Sequence, residues 1–131
     1  MSRLFSLPDQ RLIRFLRDHK VIDCGAGSGL WLRVLHEDGI DAIGIDPAPG
    51  PGVLTGSHLD LAQYRDRLLL AVWPRDGTDL DEWVSIWGGD MFVVIGAFSR
   101  FTLGDYRLAQ ERWFLPPLFK CPSEVRVMYR T

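Results

Sequence analysis

Three glycines at alternate positions, Gly25, Gly27 and Gly29, and two carboxylates, Asp23 and Asp46, are the residues of this 131-residue chain whose types and spacing point to chemistry. Without Cβ atoms, glycines admit positive φ and let a ligand come close to the backbone. A helical pattern begins at Leu30, so the free N–H groups of a helix start face the same space. Asp46 ends an apolar run, Ala42–Asp46, 21 positions after Gly25. At that separation a carboxylate reaches ribose hydroxyls in a dinucleotide-type fold. The expected chemistry is recognition of a nucleoside-containing ligand; a strand-to-helix turn with no ligand is the plain alternative. A dinucleotide fingerprint would place its third glycine at position 30, where this chain has Leu30, and this disfavours a nicotinamide enzyme.

The elements that must position these residues are legible from pattern. Val21–Cys24 reads as the strand that feeds the glycine turn, and Leu30 to about Asp38 as the helix after it, stopped by Gly39. A first helix is expected from about Leu7 to Asp18, capped by Ser6 with Asp9 three residues on, its stripe Leu12, Ile13 and Leu16 facing the core. Its arginines, Arg11, Arg14 and Arg17, read as a solvated face. Pro47–Gly52 can be neither helix nor central strand, and forms a stiff loop beside the carboxyl end of the second strand, where ligands bind in open α/β sheets. Val53–Thr55 reads as a short edge strand, and Leu68–Trp73 as a strand buried on both faces. Thr78 is placed to cap a helix whose apolar face is Leu80, Trp83, Val84 and Trp87, ended by Gly88 and Gly89. The helical spacing of these tryptophans argues for core rather than a base-stacking platform. Met91–Ile95 follows as a buried strand, then a weaker helix from Thr102 to Trp113 ended by Pro116 and Pro117, and a last strand from Glu124 to Tyr129. The alternation predicts one domain over residues 1–131 of α/β class. Its form is a Rossmann-like, doubly wound, mostly parallel sheet of five or six strands, the first and fourth central, with helices on both faces.

Composition bounds the function. An apolar share of 47% supports a real core, and a net charge of −2 gives no strong nucleic-acid signal. No apolar run reaches membrane-spanning length and no signal-peptide core is present, so the expected location is cytoplasmic. Cys24 and Cys121 do not form a metal-ligand spacing, and Cys24 in the first strand reads as a small buried thiol.

With Asp23 two residues before the first glycine, the run Asp23-Cys-Gly-Ala-Gly-Ser-Gly29 resembles motif I of the class I S-adenosylmethionine-dependent methyltransferases, and Gly44-Ile-Asp46-Pro47 resembles the end of their second strand. The resemblance continues, from about Lys20 to the end, with a methyltransferase-like family of unassigned function that reads D-x-G-A-G-x-G-x-W and L-L-L-x-W-P-P-Y. Here the counterparts are Asp23 to Trp31, Leu68 to Asp76, Val94 to Ala97, and Met128 to Arg130. The resemblance implies S-adenosyl-L-methionine as cofactor, with Gly25, Gly27 and Gly29 near its methionine part, Asp23 near its amino group and Asp46 on its ribose. The zone of Ser57 and His58 would flank the adenine, and Trp73 and Pro74 would line the site towards the acceptor.

Two departures bear on activity. Arg75 and Asp76 stand where the family has a second proline and a tyrosine, and Ala97 where it has a glutamate. Trp73-Pro74-Arg75 also lacks the leading Asp or Asn of the amino-methyltransferase motif, which disfavours that activity. Asp76 is the catalytic candidate, since methyl transfer requires positioning and sometimes a base; a turn residue before Gly77 is the alternative. The expected function is a small methyltransferase of unknown acceptor, against an inactive binding or interaction module with the same fold. So short a chain leaves the cofactor site open. Trp31, Phe98 and Phe101 are the exposed apolar candidates for self-association or for a protein partner covering it.

Overall fold

In a computed structural model, the structure describes residues 7–75, 77–96, 106–118 and 121–130, the last two stretches with side chains at 113–115 and 123–130. The described elements are α1 (Gln10–Leu16), β1 (Val21–Cys24), α2 (Leu30–Glu37), β2 (Ala42–Asp46), β3 (Leu54–Thr55), a 3-10 helix (His58–Tyr64), β4 (Leu68–Val72), α3 (Leu80–Trp87), β5 (Met91–Gly96), β6 (Tyr106–Leu118) and β7 (Cys121–Arg130). They build one seven-stranded sheet of order β3-β2-β1-β4-β5-β7-β6. The first five run parallel, whereas β7 is antiparallel to β5 and β6 antiparallel to β7.

Of the parallel strands, β1, β2, β4 and β5 are buried on both faces, as their continuous apolar runs require, whereas the two-residue edge strand β3 is exposed. On one face Val21, Leu70, Val93 and Ile95 meet Leu12 and Leu16 of α1 and Leu32 and Leu35 of α2. On the other, Ile22, Leu69, Phe92 and Val94 meet Leu61 of the 3-10 helix and Leu80, Val84 and Trp87 of α3. The central pair, β1 and β4, is where the sequence places it.

The sheet has seven strands rather than five or six, because the segment read as a helix over Thr102–Trp113 contains the start of β6. The Pro116–Pro117 pair lies inside that strand rather than ending a helix. Among the described residues β6 is an edge strand paired only with β7, so a missing N–H can face outward, and its pairing is broken by register shifts between Leu108 and Arg112 and between Leu115 and Leu118. Cap positions also move. Asp9, not Ser6, precedes α1 and accepts from Leu12 N at 2.8 Å; Asp79, not Thr78, caps α3, accepting from Glu82 N at 3.1 Å. No described helix is long and apolar enough to cross a membrane.

Between β2 and β3 the chain runs parallel to itself with no crossover helix, through the stretch 47–53. Parallel neighbours ordinarily need a connection of a dozen or more residues. The proline-rich loop manages with fewer because it lies directly on the glycine turn: Gly50 N donates to Gly27 O at 2.9 Å, and Val53 N to Gly50 O at 3.2 Å.

Candidate functional site

The carboxyl ends of β1, β2 and β4 open into a cleft of about 600 Å³. Its floor is the turn after β1, where Gly25 N and Ala26 N both donate to Ile45 O and so fix the turn to β2. Gly25, Gly27 and Gly29 have φ of +79°, +56° and +83°, left-handed values that a residue with a Cβ adopts only under strain. Gly29 serves packing rather than the cleft wall: a Cβ there would stand 2.7 Å from Pro51 O and 3.0 Å from a Val53 methyl carbon. Gly50 faces the turn from the other side, where an added Cβ would lie 2.5 Å from Ser28 O. These two glycines bring the loop and the turn backbone to backbone, and the loop's Pro47 and Ala48 thereby join the cleft wall.

The two carboxylates sit close enough to influence each other. Asp46 is anchored, accepting from Gly27 N at 2.9 Å on Oδ2 and from Ala48 N at 2.8 Å on Oδ1. Each of its oxygens keeps a further lone pair. Asp23 is 2% exposed, and its Oδ1 finds no hydrogen-bond partner among the described residues. Burial, and then the nearby Asp46 charge, push the Asp23 pKa up to about 7. A buried carboxylate oxygen without a donor is costly, so one in the lining of a cleft is suited to a ligand's cation or hydrogen-bond donor. Beside it, Cys24 is buried and free; burial first, then Asp23, Asp46 and Asp60, raise its pKa to about 12. It remains a neutral thiol and not a nucleophile.

The opposite wall comes from β4 and α3. Trp73 follows β4 with φ +47°, the one non-glycine in the left-handed region among the described residues, a conformation costing on the order of 1 kcal/mol or more. It is held by Trp73 N donating to Ile95 O at 2.6 Å and by its indole Nε1 donating to Ser123 Oγ at 2.8 Å. Half-buried Trp83 also lines the cleft, its ring 3.9 Å from where a Gly25 Cβ would be. The His58 ring stacks on it at 6.0 Å between centroids and 12° between planes, with Nε2 3.3 Å from Glu82 Oε1. Trp87, by contrast, is core at 1% exposure. Helical spacing does not tell these two tryptophans apart, because both fall on the inward half of α3.

Of the residues singled out from sequence, Asp23, Gly25, Gly27, Asp46, Trp73 and Pro74 meet at this cleft. Gly29 stands behind its wall, as described. Ser57 does not line it: its hydroxyl accepts from Leu59 N at 3.2 Å and its N–H donates to Asp60 Oδ2 at 2.9 Å, a capping box that opens the 3-10 helix. The sequence signal for that cap, a serine three residues before an aspartate, was present at Ser57 and Asp60. His58 stands behind Trp83 rather than in the cleft. Trp31, expected to be exposed, is 6% exposed; it packs into the core and also lines the cleft, while its neighbour Leu30, likewise at the cleft, is exposed at 38%. Asp76, Phe98 and Phe101, together with Ala97, lie outside the described residues.

The strand order, the glycine turn at the end of β1 and the acid at the end of β2 define the Rossmann-like fold of the class I S-adenosylmethionine-dependent methyltransferases. Comparison with solved structures bears this out. The magnesium protoporphyrin IX methyltransferase of Synechocystis PCC 6803 with bound SAM superposes with a TM-score of 0.64, at 13% identity, over 92% of this chain and 77% of that one. The 1,6-didemethyltoxoflavin-N1-methyltransferase of Burkholderia thailandensis, with bound 1,6-didemethyltoxoflavin and S-adenosylhomocysteine, gives 0.61 at 13% identity, over 93% and 77%. In sequence, the chain is 42% identical over 57 residues to the ubiquinone biosynthesis O-methyltransferase of Azorhizobium caulinodans. That match covers 44% of this chain and 22% of the relative, so the chain spans about a fifth of that protein's length. No family model matches the chain.

Proposed function

We propose that the chain binds S-adenosylmethionine in the cleft at the ends of β1, β2 and β4 and is a methyltransferase towards an acceptor that enters past Trp73. The observation that carries this reading is the buried, unpartnered Asp23 oxygen beside the left-handed glycine turn and the anchored Asp46. These residues fit the cofactor: Asp23 offers an acceptor for an ammonium group, the turn at Gly25 and Gly27 lets a ligand lie against backbone, and Asp46 keeps lone pairs for ribose hydroxyls. Trp83 offers an apolar ring to the cofactor's flat base. The cofactor's already activated sulfonium methyl supplies the chemistry, so the protein has chiefly to hold an acceptor in line with it. Trp73 and Pro74 line that side, and Asp76 remains our candidate for orienting or deprotonating the acceptor. The resemblance to an O-methyltransferase supports transfer to oxygen.

Calorimetric titration with S-adenosylmethionine, S-adenosylhomocysteine and NADH tests the reading. Binding of the first two over NADH is expected. Gly27→Val and Asp46→Ala should each weaken it by about 1–3 kcal/mol, the scale of losing a partner in a buried polar contact. Preference for NADH, or full affinity in both folded variants, would overturn the assignment. Binding without turnover on a broad panel of acceptors would favour a binding module that has lost transfer.

A further inference from the structure

Nine arginines have described side chains, and eight of them are engaged. Arg11 lies over the Trp113 ring, 4.1 Å from its centroid, and the other seven reach a carboxylate or a backbone carbonyl, as with Arg67 on Asp41 at 2.9 Å. The ninth is Arg75, which has no such partner among the described residues and borders the cleft. Its place is not left to a loose loop. Trp73 is held at both its N–H and its indole, Pro74 fixes the next φ, and Thr78 N donates to Arg75 O at 3.0 Å to close the turn.

Charge is divided across the cleft. Among the described residues, the carboxylates that line it, Asp23 and Asp46, stand at the ends of β1 and β2, whereas the cation, Arg75, stands past β4, on the acceptor side. An anionic group is repelled from the first end and drawn to the second, which both selects the ligand and sets its direction. A guanidinium offers a planar fork matched to carboxylate and phosphate. The body between is apolar, with Leu30, Trp73 and Trp83 on its walls.

We infer that Arg75 is the residue that recognises the acceptor, and that the acceptor is an apolar or aromatic molecule bearing a carboxylate or a phosphate. The inference rests on the cofactor reading of the same cleft. The test is a titration of the full chain, loaded with S-adenosylhomocysteine, with benzoate, phenyl phosphate and neutral benzamide as probes, repeated with Arg75→Gln and Arg75→Lys. The parent should bind one of the anions at least fivefold better than benzamide, and the preferred anion tells carboxylate from phosphate. Arg75→Gln should lose that preference and Arg75→Lys should keep part of it, with S-adenosylhomocysteine affinity within twofold of the parent in both. Equal binding of benzamide and the anions, or an anion preference that survives Arg75→Gln, would overturn the inference while leaving the cofactor reading intact. Absence of S-adenosylhomocysteine binding to the parent would overturn the cofactor reading instead. The same probes on unloaded protein then judge Arg75 alone: an anion preference lost in Arg75→Gln supports an anion site there, and none rejects it.

Discussion

Asp23 places a carboxylate where its surroundings oppose a charge, and that conflict makes a measurable signature. Its pKa is raised from an ordinary 3.8 to about 7, so the folded state holds the proton more tightly than the unfolded chain between those values. Stability from this group is therefore full below pH 4 and is lost as pH rises through 7. Asp23→Asn removes the titration, and should gain up to about 4 kcal/mol over the parent at pH 8 and little at pH 4, since each of the roughly three pH units in that window is worth about 1.4 kcal/mol. Denaturant unfolding at several pH values checks this; parallel pH profiles for the two proteins would show that Asp23 does not titrate as described. The same variant should bind S-adenosylmethionine at least tenfold more weakly. An ammonium partner favours the charged carboxylate, so binding to the parent should release a proton and weaken as pH falls below 7. Titrations in two buffers of different ionisation enthalpy would measure that proton, and equal apparent enthalpies would argue against an ammonium at Asp23.

At the scale of elements, the stretch 47–53 replaces a crossover helix with a loop fitted to the glycine turn. The fit is steric at Gly50, where an added Cβ would meet Ser28 O, and purely conformational at Gly39, where φ is +76° and the surrounding space is open. Gly50→Ala should therefore cost about 1–3 kcal/mol by overpacking, against roughly 1 kcal/mol for Gly39→Ala. Only Gly50→Ala should also lower cofactor affinity, because Pro47 and Ala48 move with the loop. Unfolding midpoints and one binding titration check both. A neutral Gly50→Ala would mean that the loop gives way easily and is no fixed wall.

For the molecule as a whole, the N-terminal helix is tied to the antiparallel edge of the sheet. The Trp113 indole on β6 donates to Asp9 Oδ1 and Oδ2 at 3.4 and 3.1 Å, while Arg11 covers its ring. Asp9 at the same time caps α1. Asp9→Ala should thus lose a cap and a long-range hydrogen bond together, on the order of 2 kcal/mol, whereas Trp113→Phe should lose about 1 kcal/mol. Combined, they should cost less than the sum of the two, since both remove the one Asp9–Trp113 contact. Strict additivity in thermal unfolding would show that the contact contributes nothing.

What the sequence determined by itself is what local pattern encodes. The strand, glycine turn, helix and second strand from Val21 to Asp46 are contiguous, and their apolar runs and breakers allow little else. Hence Asp23, Gly25, Gly27 and Asp46 were legible as neighbours at one cleft, as was the α/β class. The tertiary structure alone decided the rest, because it depends on neighbours distant in the chain. β6 is a strand because β7 offers it a partner, which overrides a weak helical pattern and tolerates prolines at an edge. Trp73 is strained into place by Ile95 and by Ser123, fifty residues on. Trp83 is wall and Trp87 is core although one helix carries both, since burial depends on what stands opposite and not on period. Arg75 looks like any surface arginine in the sequence; its lack of a partner appears only once eight others have found theirs in space.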